Sequence, residues 1–520
     1  MSVRNPFIHE VTKSLPRILS AIDSDETNLS YGIADRYYWA WGLTDFGNAT
    51  LQGCANGLSR LWVSGLWPFN SSEDVFLKRI YSLFYGTQFL TRKDGSLEEA
   101  FPNEGSYCVT ALVAFDLLVT LDVLSEKISY SQKNTLLKIL NPIVNFLIKN
   151  DENHAIISNH LATSVAALVR WHKITNDTSA LRKAKTLVNR ISHHQSVEGW
   201  FKEYEGADPG YLTLCLHYLT DAHFQQEKLG LFDPIAKSIK FLEYFVHPDG
   251  SFGGLYGSRC TKFYYPSGIL SMAPFVPEAA SLSSFMLTSI NEQKVVGLSS
   301  MDTPNLIPMF NSYVWAALLS RNDSKVLLNT EPLPCKRKYS FSKDFPEAGL
   351  FVDRSQNYYS IINYKKGGVT YHFTNDKLNR IDGGVLVRSP NGLLGSSQFY
   401  DHEQQVSIKD DRILIRHRIS LMPKRLTTPF KFLILRTLCF SFFRFYNFRE
   451  SVKKFLVKYL ISKPKLWPIW NEREIILGED LEIVDCCKLK KRYQKISLNE
   501  DFVSIHMASQ GYWQIQDENL

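Results

Sequence analysis

The sequence predicts an α+β multidomain protein, an N-terminal (α/α) toroid followed by a C-terminal antiparallel β-sandwich domain. Three observations carry that expectation. From about Tyr31 to Ser320, segments with apolar residues at three-to-four spacing alternate with Gly, Pro and Asn punctuation. Loops of one kind, Arg92-Lys93-Asp94-Gly95-Ser96 and His247-Pro248-Asp249-Gly250-Ser251, recur at the junctions. Beyond position 327 the period shortens, and β-branched and aromatic runs replace the long segments. A chain of 520 residues also exceeds what one ordinary core encloses.

The helical segments are Tyr107–Leu124, Gln132–Lys149, Asn159–Thr175, Ala180–Ser192, Tyr211–Glu227 and Pro234–Val246. Helix pairs joined by loops that return to one side form a bundle, a solenoid or a toroid, and the recurring junctions favour a toroid over residues 1–326. The polar, Pro-containing stretch 327–344 reads as a linker. The third segment, 345–520, begins with strands at Gly349–Asp353, Tyr358–Tyr364, Val369–Phe373, Gly384–Arg388 and Arg412–Ile419. Lys366-Gly367-Gly368 and Ser389-Pro390-Asn391-Gly392 supply turns. A basic, aromatic insertion occupies about 424–470.

Charge is unevenly distributed. The net formal charge is +7, but positions 424–465 hold eleven Lys or Arg and one acid, Glu450, so the remainder sums to −3. A charge confined to one segment argues against nucleic acid as a partner. The eight cysteines contain no C-x-x-C pair, which excludes a zinc-ligand pattern and a dense disulfide framework. Glu10, Lys13 and Arg17 interrupt the first nineteen residues, and no run of eighteen apolar residues occurs. The expectation is a cytoplasmic chain with reduced thiols, peripheral to the inner face of a membrane at most. Aromatic residues make up 13% of the chain, enough for sugar-stacking platforms or for a large helical core.

Three stretches place polar groups at the start of an apolar helix, where a toroid has its mouth. They are Asp35 to Phe46, Asn153 to Ala162, and Glu198 to Tyr211. Asn159-His160 opens a helix, and Tyr211 follows Asp208-Pro209-Gly210 fifty-one residues after His160. With Phe101-Pro102-Asn103-Glu104-Gly105-Ser106 and Phe345-Pro346-Glu347-Ala348-Gly349-Leu350, these residues give the chain its resemblance to the heparinase II/III-like polysaccharide lyases. Alginate lyases and uronyl epimerases are relatives of that family, and the resemblance covers roughly 350 residues.

The resemblance implies cleavage of a uronic-acid-containing polysaccharide by β-elimination; no cofactor is expected of this chain. Removing the proton next to a carboxylate builds up negative charge, which Asn159 and His160 would stabilise. Tyr211 would be the general base, the general acid or both, its pKa lowered by a nearby cation. Arg36, Lys202 and Arg259 are candidate cations for substrate carboxylates. Tyr38, Trp39, Trp41, Tyr204, Tyr256 and His372 complete the expected substrate-binding set. Each has a plain structural reading as well: Asn159 as a helix cap, His160 as a first-turn residue, Tyr211 as a core ring. Glu203, Glu205 and Asp208 read as a solvated loop. The chain departs from the family where a histidine-rich strand is expected: Gly368 to Asp376 keeps His372 but has no H-x-H-x-D arrangement, so no metal is assigned. His402 is a second histidine that could face the cleft. An epimerase that returns the abstracted proton, a hydrolase using Glu104 and Asp208, and a non-catalytic carbohydrate-binding or assembly protein are the alternatives.

The insertion interleaves Phe430, Phe432, Phe440, Phe442, Phe443, Phe445 and Phe448 with Lys431, Arg436, Arg444 and Arg449, and continues through Lys453, Lys454 and Lys458. Helices of this composition suit the interface of an anionic membrane surface. A place beside the machinery that makes surface polysaccharide follows as an expectation.

Overall fold

A computed structural model describes residues 5–152, 156–322, 330–401, 403–409, 411–423, 426–457, 465–489, 491–496 and 502–513. His402, Lys458 and part of the 327–344 stretch lie outside the described residues. The helices of the first part are α1 (Pro6–Leu19), α2 (Arg36–Trp39), α3 (Cys54–Val63), α4 (Glu73–Leu90), α5 (Tyr107–Val123), α6 (Tyr130–Lys149) and α7 (Ser158–Thr175). They continue with α8 (Thr178–His193), α9 (Pro209–Gln225), α10 (Phe232–Leu242), α11 (Pro266–Met272), α12 (Pro277–Asn291) and α13 (Leu306–Asn322).

Their packing closes a ring. Helix α3 packs on α5, α5 on α7, α7 on α9, α9 on α11, α11 on α13, and α13 returns to α3. Each inner helix carries an outer partner, α4, α6, α8, α10, α12 and α1 respectively. The residue patterns explain which helices are inside. Helices α5, α7 and α9 are buried around nearly their whole circumference, whereas α8 and α10 bury one stripe. Side-chain caps define two of the inner starts: Ser106 accepts from Val109 N–H and Asp208 from Tyr211 N–H.

Buried polar groups join the ring toward its other end. Arg170 Nε and Nη2 donate to Asp221 (2.8 and 2.5 Å), and Nη1 donates to Asp122 (2.8 Å). Asn56 donates to Asp116 (2.8 Å), and burial pushes that carboxyl up to about 8. Arg170 lies eleven residues along α7 from Asn159, about 16 Å at helical rise. The mouth formed by the inner helix starts is therefore a separate region.

The second part holds two antiparallel sheets. Strands β1 (Phe341–Phe345), β2 (Leu350–Arg354), β3 (Tyr358–Asn363), β4 (Val369–Thr374) and β5 (Lys377–Asp382) form a five-stranded meander. Strands β6 (Leu386–Arg388), β7 (Leu394–Ser396), β8 (Gln405–Lys409), β9 (Arg412–Leu421), β10 (Leu466–Ile476), β11 (Glu482–Cys487) and β12 (Gln494–Ile496) form the other. Its order is β11-β10-β9-β7-β6-β12, with β8 also on β9. Alternation along β3 explains the layering. Tyr359 and Ile361 join the toroid's core, while Ile362 packs with Ile413, Ile415 and Ile475 of the second sheet.

Two excursions bear on the site. Helices α14 (Pro429–Ser441) and α15 (Tyr446–Val457) are inserted between the paired strands β9 and β10. Residues 502–513 lie back on the toroid, where Tyr512 bridges Met301 and Gln510 Nε2 donates to the Arg259 carbonyl (3.1 Å).

Candidate active site

At the mouth, α7 and the loop before α9 are tied together. Ser158 Oγ donates to the Lys202 carbonyl (2.7 Å), and Ile157 bridges Glu203. This register brings Glu203 to Asn159: Asn159 N–H donates to Oε1 (2.9 Å), and Nδ2 lies 2.9 Å from both carboxylate oxygens. Glu203 also pairs with Arg259 (3.4 Å). Burial pushes the Glu203 carboxyl up, against the opposing pull of Arg259 and the Asn159 donors. Its charge is thus held by specific partners, since an isolated buried carboxylate would be costly.

Arg259 is the centre of the cluster. Its Cζ lies 3.5 Å from the Tyr211 ring centroid and 5.2 Å from that of Tyr204. The guanidinium is buried, and its Nε has no hydrogen-bond partner among the described residues. Asp208 positions the segment, accepting from Tyr211 N–H (3.1 Å), Arg259 N–H (2.8 Å) and the Thr261 hydroxyl.

His160 stands on the adjacent turn with 18% of its side chain exposed, Nδ1 2.7 Å from Glu152 Oε2. Burial works against the charged imidazole, but Cys108 and Glu152 outweigh it, and the pKa lies well above its ordinary value. Burial pushes the Cys108 thiol up, so the charge facing the imidazolium near neutrality is that of Glu152. Glu99, exposed on the turn before α5, lies in the field of His160. Loss of hydration at the carboxyl, with Glu104 beside it, pushes Glu99 up to about 7. Ser106 Oγ donates to Glu99 (3.3 Å), and Glu104 organises the turn by accepting from Glu99 and Ala100 N–H (3.1 and 2.8 Å).

The fold therefore gathers Asn159, His160, Tyr204, Tyr211 and Arg259 from the sequence expectation and adds Glu99, Glu152 and Glu203. Several expectations are corrected. Tyr211 is not acidified: burial outweighs Arg259, and its hydroxyl is pushed up to about 12. Glu203 and Asp208 are buried and bonded, not solvated. Tyr256 is a buried domain-contact ring, its hydroxyl 2.8 Å from His247 Nε2 and its carbonyl accepting from Asn363 (2.6 Å). His372 is buried between strands, Nδ1 2.7 Å from the Ser360 hydroxyl, and burial lowers its pKa, so it faces no cleft. Lys202 serves through its backbone carbonyl, and its ammonium lies toward His194.

The α2 stretch stands on the neighbouring rim. Trp39 anchors it by donating to the Ala21 carbonyl (2.7 Å), and Arg36 covers the Trp39 ring at 5.5 Å. Tyr38 lies in the field of Glu98, the residue before Glu99. Trp41 is exposed. A groove of about 450 Å³ lies elsewhere, on the second sheet along Gln405, Leu414, Arg416, Glu472 and Val484.

No protein-family model matches the chain, and no curated protein matches it. Solved structures of polysaccharide lyases do resemble it at low identity. Chondroitin AC lyase from Streptomyces coelicolor is 10% identical with a TM-score of 0.48, over 81% of this chain and 67% of that one. Heparinase III is 10% identical with a TM-score of 0.46, over 93% and 78%. Xanthan lyase from Paenibacillus is 9% identical with a TM-score of 0.47, over 81% of this chain but 46% of the larger enzyme.

Proposed function

We propose that this chain binds a uronic-acid-containing polysaccharide at the toroid mouth and cleaves it by β-elimination. The observation that carries the reading is the convergence of a buried arginine, a charged histidine and an amide at the start of α7. His160 carries positive charge at the partly exposed rim, and Arg259 and Asn159 stand behind it on Glu203, so a sugar carboxylate would draw on the same cations and amide that now hold Glu152 and Glu203. The N-termini of α5, α7 and α9 add their partial positive charge.

In the proposed step, Glu99 takes the C5 proton. With a carboxyl near 7 it is divided between its two forms around neutrality, as a general base requires. The electron pair left on C5 forms the C4–C5 double bond as the C4–oxygen bond breaks. Tyr211, still protonated near neutrality, gives its proton to the leaving oxygen. His160 stabilises the carboxylate as charge spreads onto it, and Asn159 joins it by turning an Nδ2 hydrogen away from Glu203. A role in making or modifying surface polysaccharide is supported by the basic hairpin α14–α15.

A second reading has its own support. Tyr211 is only 7% exposed, and Ser509 of the returning C-terminal stretch comes up to its hydroxyl. That enclosure favours a site that exchanges a proton without cleaving, or that only binds. Incubation with uronic-acid polysaccharides in deuterated water separates the three. Unsaturated ends mark elimination, deuterium at C5 without shortening marks epimerisation, and saturable binding with neither marks a binding protein.

A further inference from the structure

The hairpin α14–α15 is fixed to the toroid beside the mouth. Cys439 and Phe443 are buried beneath it, Phe443 with its ring centroid 5.8 Å from that of Phe101. Arg449 is wholly buried against Gly105 and 3.5 Å from Asp94. Arg436 pairs with Asp45 at 3.0 Å and lies 5.7 Å from the Phe46 ring centroid. These contacts place the loop after α2 and the hairpin side by side.

What the hairpin turns outward is apolar. Phe430, Leu433, Ile434 and Phe440 follow the three-to-four spacing of one helix face, and all are exposed, Phe430 at 71% and Leu433 at 62%. Phe442 and Phe445 extend the patch past the end of α14, and the neighbouring loop adds Trp41 and Leu43, exposed at 73% and 75%. Lys431 and Arg444 are exposed in the same stretch, Lys454 is exposed on α15, and no acid occurs from Thr428 to Arg449. Soluble surfaces rarely leave so many large apolar side chains together in water.

We propose that the hairpin and the loop after α2 form one docking surface for a bilayer interface rich in anionic lipid. Aromatic rings suit the headgroup boundary, and the cations match lipid phosphates. A second copy of the chain would set this basic face against itself in a two-fold dimer, which like charges oppose. The surface docks and does not span: α14, at 13 residues, covers about 20 Å of a hydrocarbon core about 30 Å thick. Among the described residues no helix is long and apolar enough to cross a membrane. Docking would bring the toroid mouth close to the lipid surface, since the 94–105 loop under Arg449 also carries Glu99.

The full chain is tested by co-sedimentation with phosphatidylcholine vesicles, with and without phosphatidylglycerol. Binding is expected to the anionic vesicles only and to weaken as salt is raised. Lys431→Gln and Arg444→Gln should each lower the partition coefficient roughly fivefold. The pair Trp41→Ser and Leu43→Ser, outside the hairpin, should also weaken binding while leaving the thermal midpoint unchanged. Equal binding to both vesicles would overturn the proposal, as would no binding to either or indifference to the Trp41 and Leu43 changes. Concentration-dependent dimers broken by Phe430→Ser, without vesicle binding, would reassign the face to a second copy.

Discussion

Replacing Glu152 by glutamine tests whether the 2.7 Å contact to His160 sets the charge at the mouth. The glutamine oxygen can still accept the Nδ1 hydrogen. A neutral acceptor contributes about 0.5–1.5 kcal/mol, however, against about 1.5–3 kcal/mol for a charged one. The difference, about 1–1.5 kcal/mol, corresponds to a fall of about one pH unit in the His160 pKa. The sign follows from the raised folded value. The stabilisation from charged His160 is full below its unfolded value near 6.5 and is lost as pH rises through the folded value. Glu152→Gln should therefore cost most stability below about pH 6.5, with the penalty shrinking toward alkaline pH. If the enzyme is a lyase, the alkaline limb of its pH–rate profile should shift down by the same amount. NMR titration of the imidazole, with denaturant melts across pH, measures both. An unmoved His160 titration would refute the assignment of Glu152 as the partner that holds the charge.

Other outcomes follow from the same geometry. Glu99→Gln should remove the acid limb expected near pH 7 from the rate profile and lower the plateau, which steady-state kinetics would read. Glu203→Gln leaves Arg259 buried without its carboxylate, at a cost of about 3–5 kcal/mol. Calorimetry should show a clear fall in the unfolding midpoint, with loss of any activity that depends on Asn159. Gly105 has φ +55°, and a Cβ there would come within 2.6 Å of the Arg449 guanidinium. Gly105→Ala adds about 1–2 kcal/mol for the left-handed backbone, and the overlap besides. Limited proteolysis should then cut faster within 426–457.

The inner helices α5, α7 and α9 were legible because each is long and apolar, and Ser106 and Asp208 cap two of them; α3, α11 and α13 were not among the predicted segments, and α11 is only seven residues long. The closure of the ring was not, since it depends on α13 meeting α3 across more than two hundred residues. Asn159, His160 and Tyr211 stood out as polar groups in the first turns of apolar helices, and Arg259, in the loop before α11, as a candidate cation. Glu203 looked like one more acid in a charged loop; its burial is decided by Arg259, 56 residues later. Glu99 and Glu152 each sit in a pair of adjacent acids, Glu98-Glu99 and Asp151-Glu152, and nothing in the sequence says which member of the pair meets His160. Tyr256 and His372 failed the other way. An aromatic residue that fills a domain contact and one that lines a cleft have the same sequence signature, and only the packing of the first sheet on the toroid distinguishes them. The hairpin's composition was plain, but not that Arg449 would be its buried anchor.

Ultraviolet absorbance during incubation with uronic-acid polysaccharides, comparing the native chain with His160→Ala and Tyr211→Phe, tests β-elimination at the toroid mouth. The expected result is a rising signal from unsaturated ends for the native chain and its loss in both variants. Absence of the signal from the native chain on every polysaccharide that it binds would contradict β-elimination, as would a signal unaffected by both substitutions.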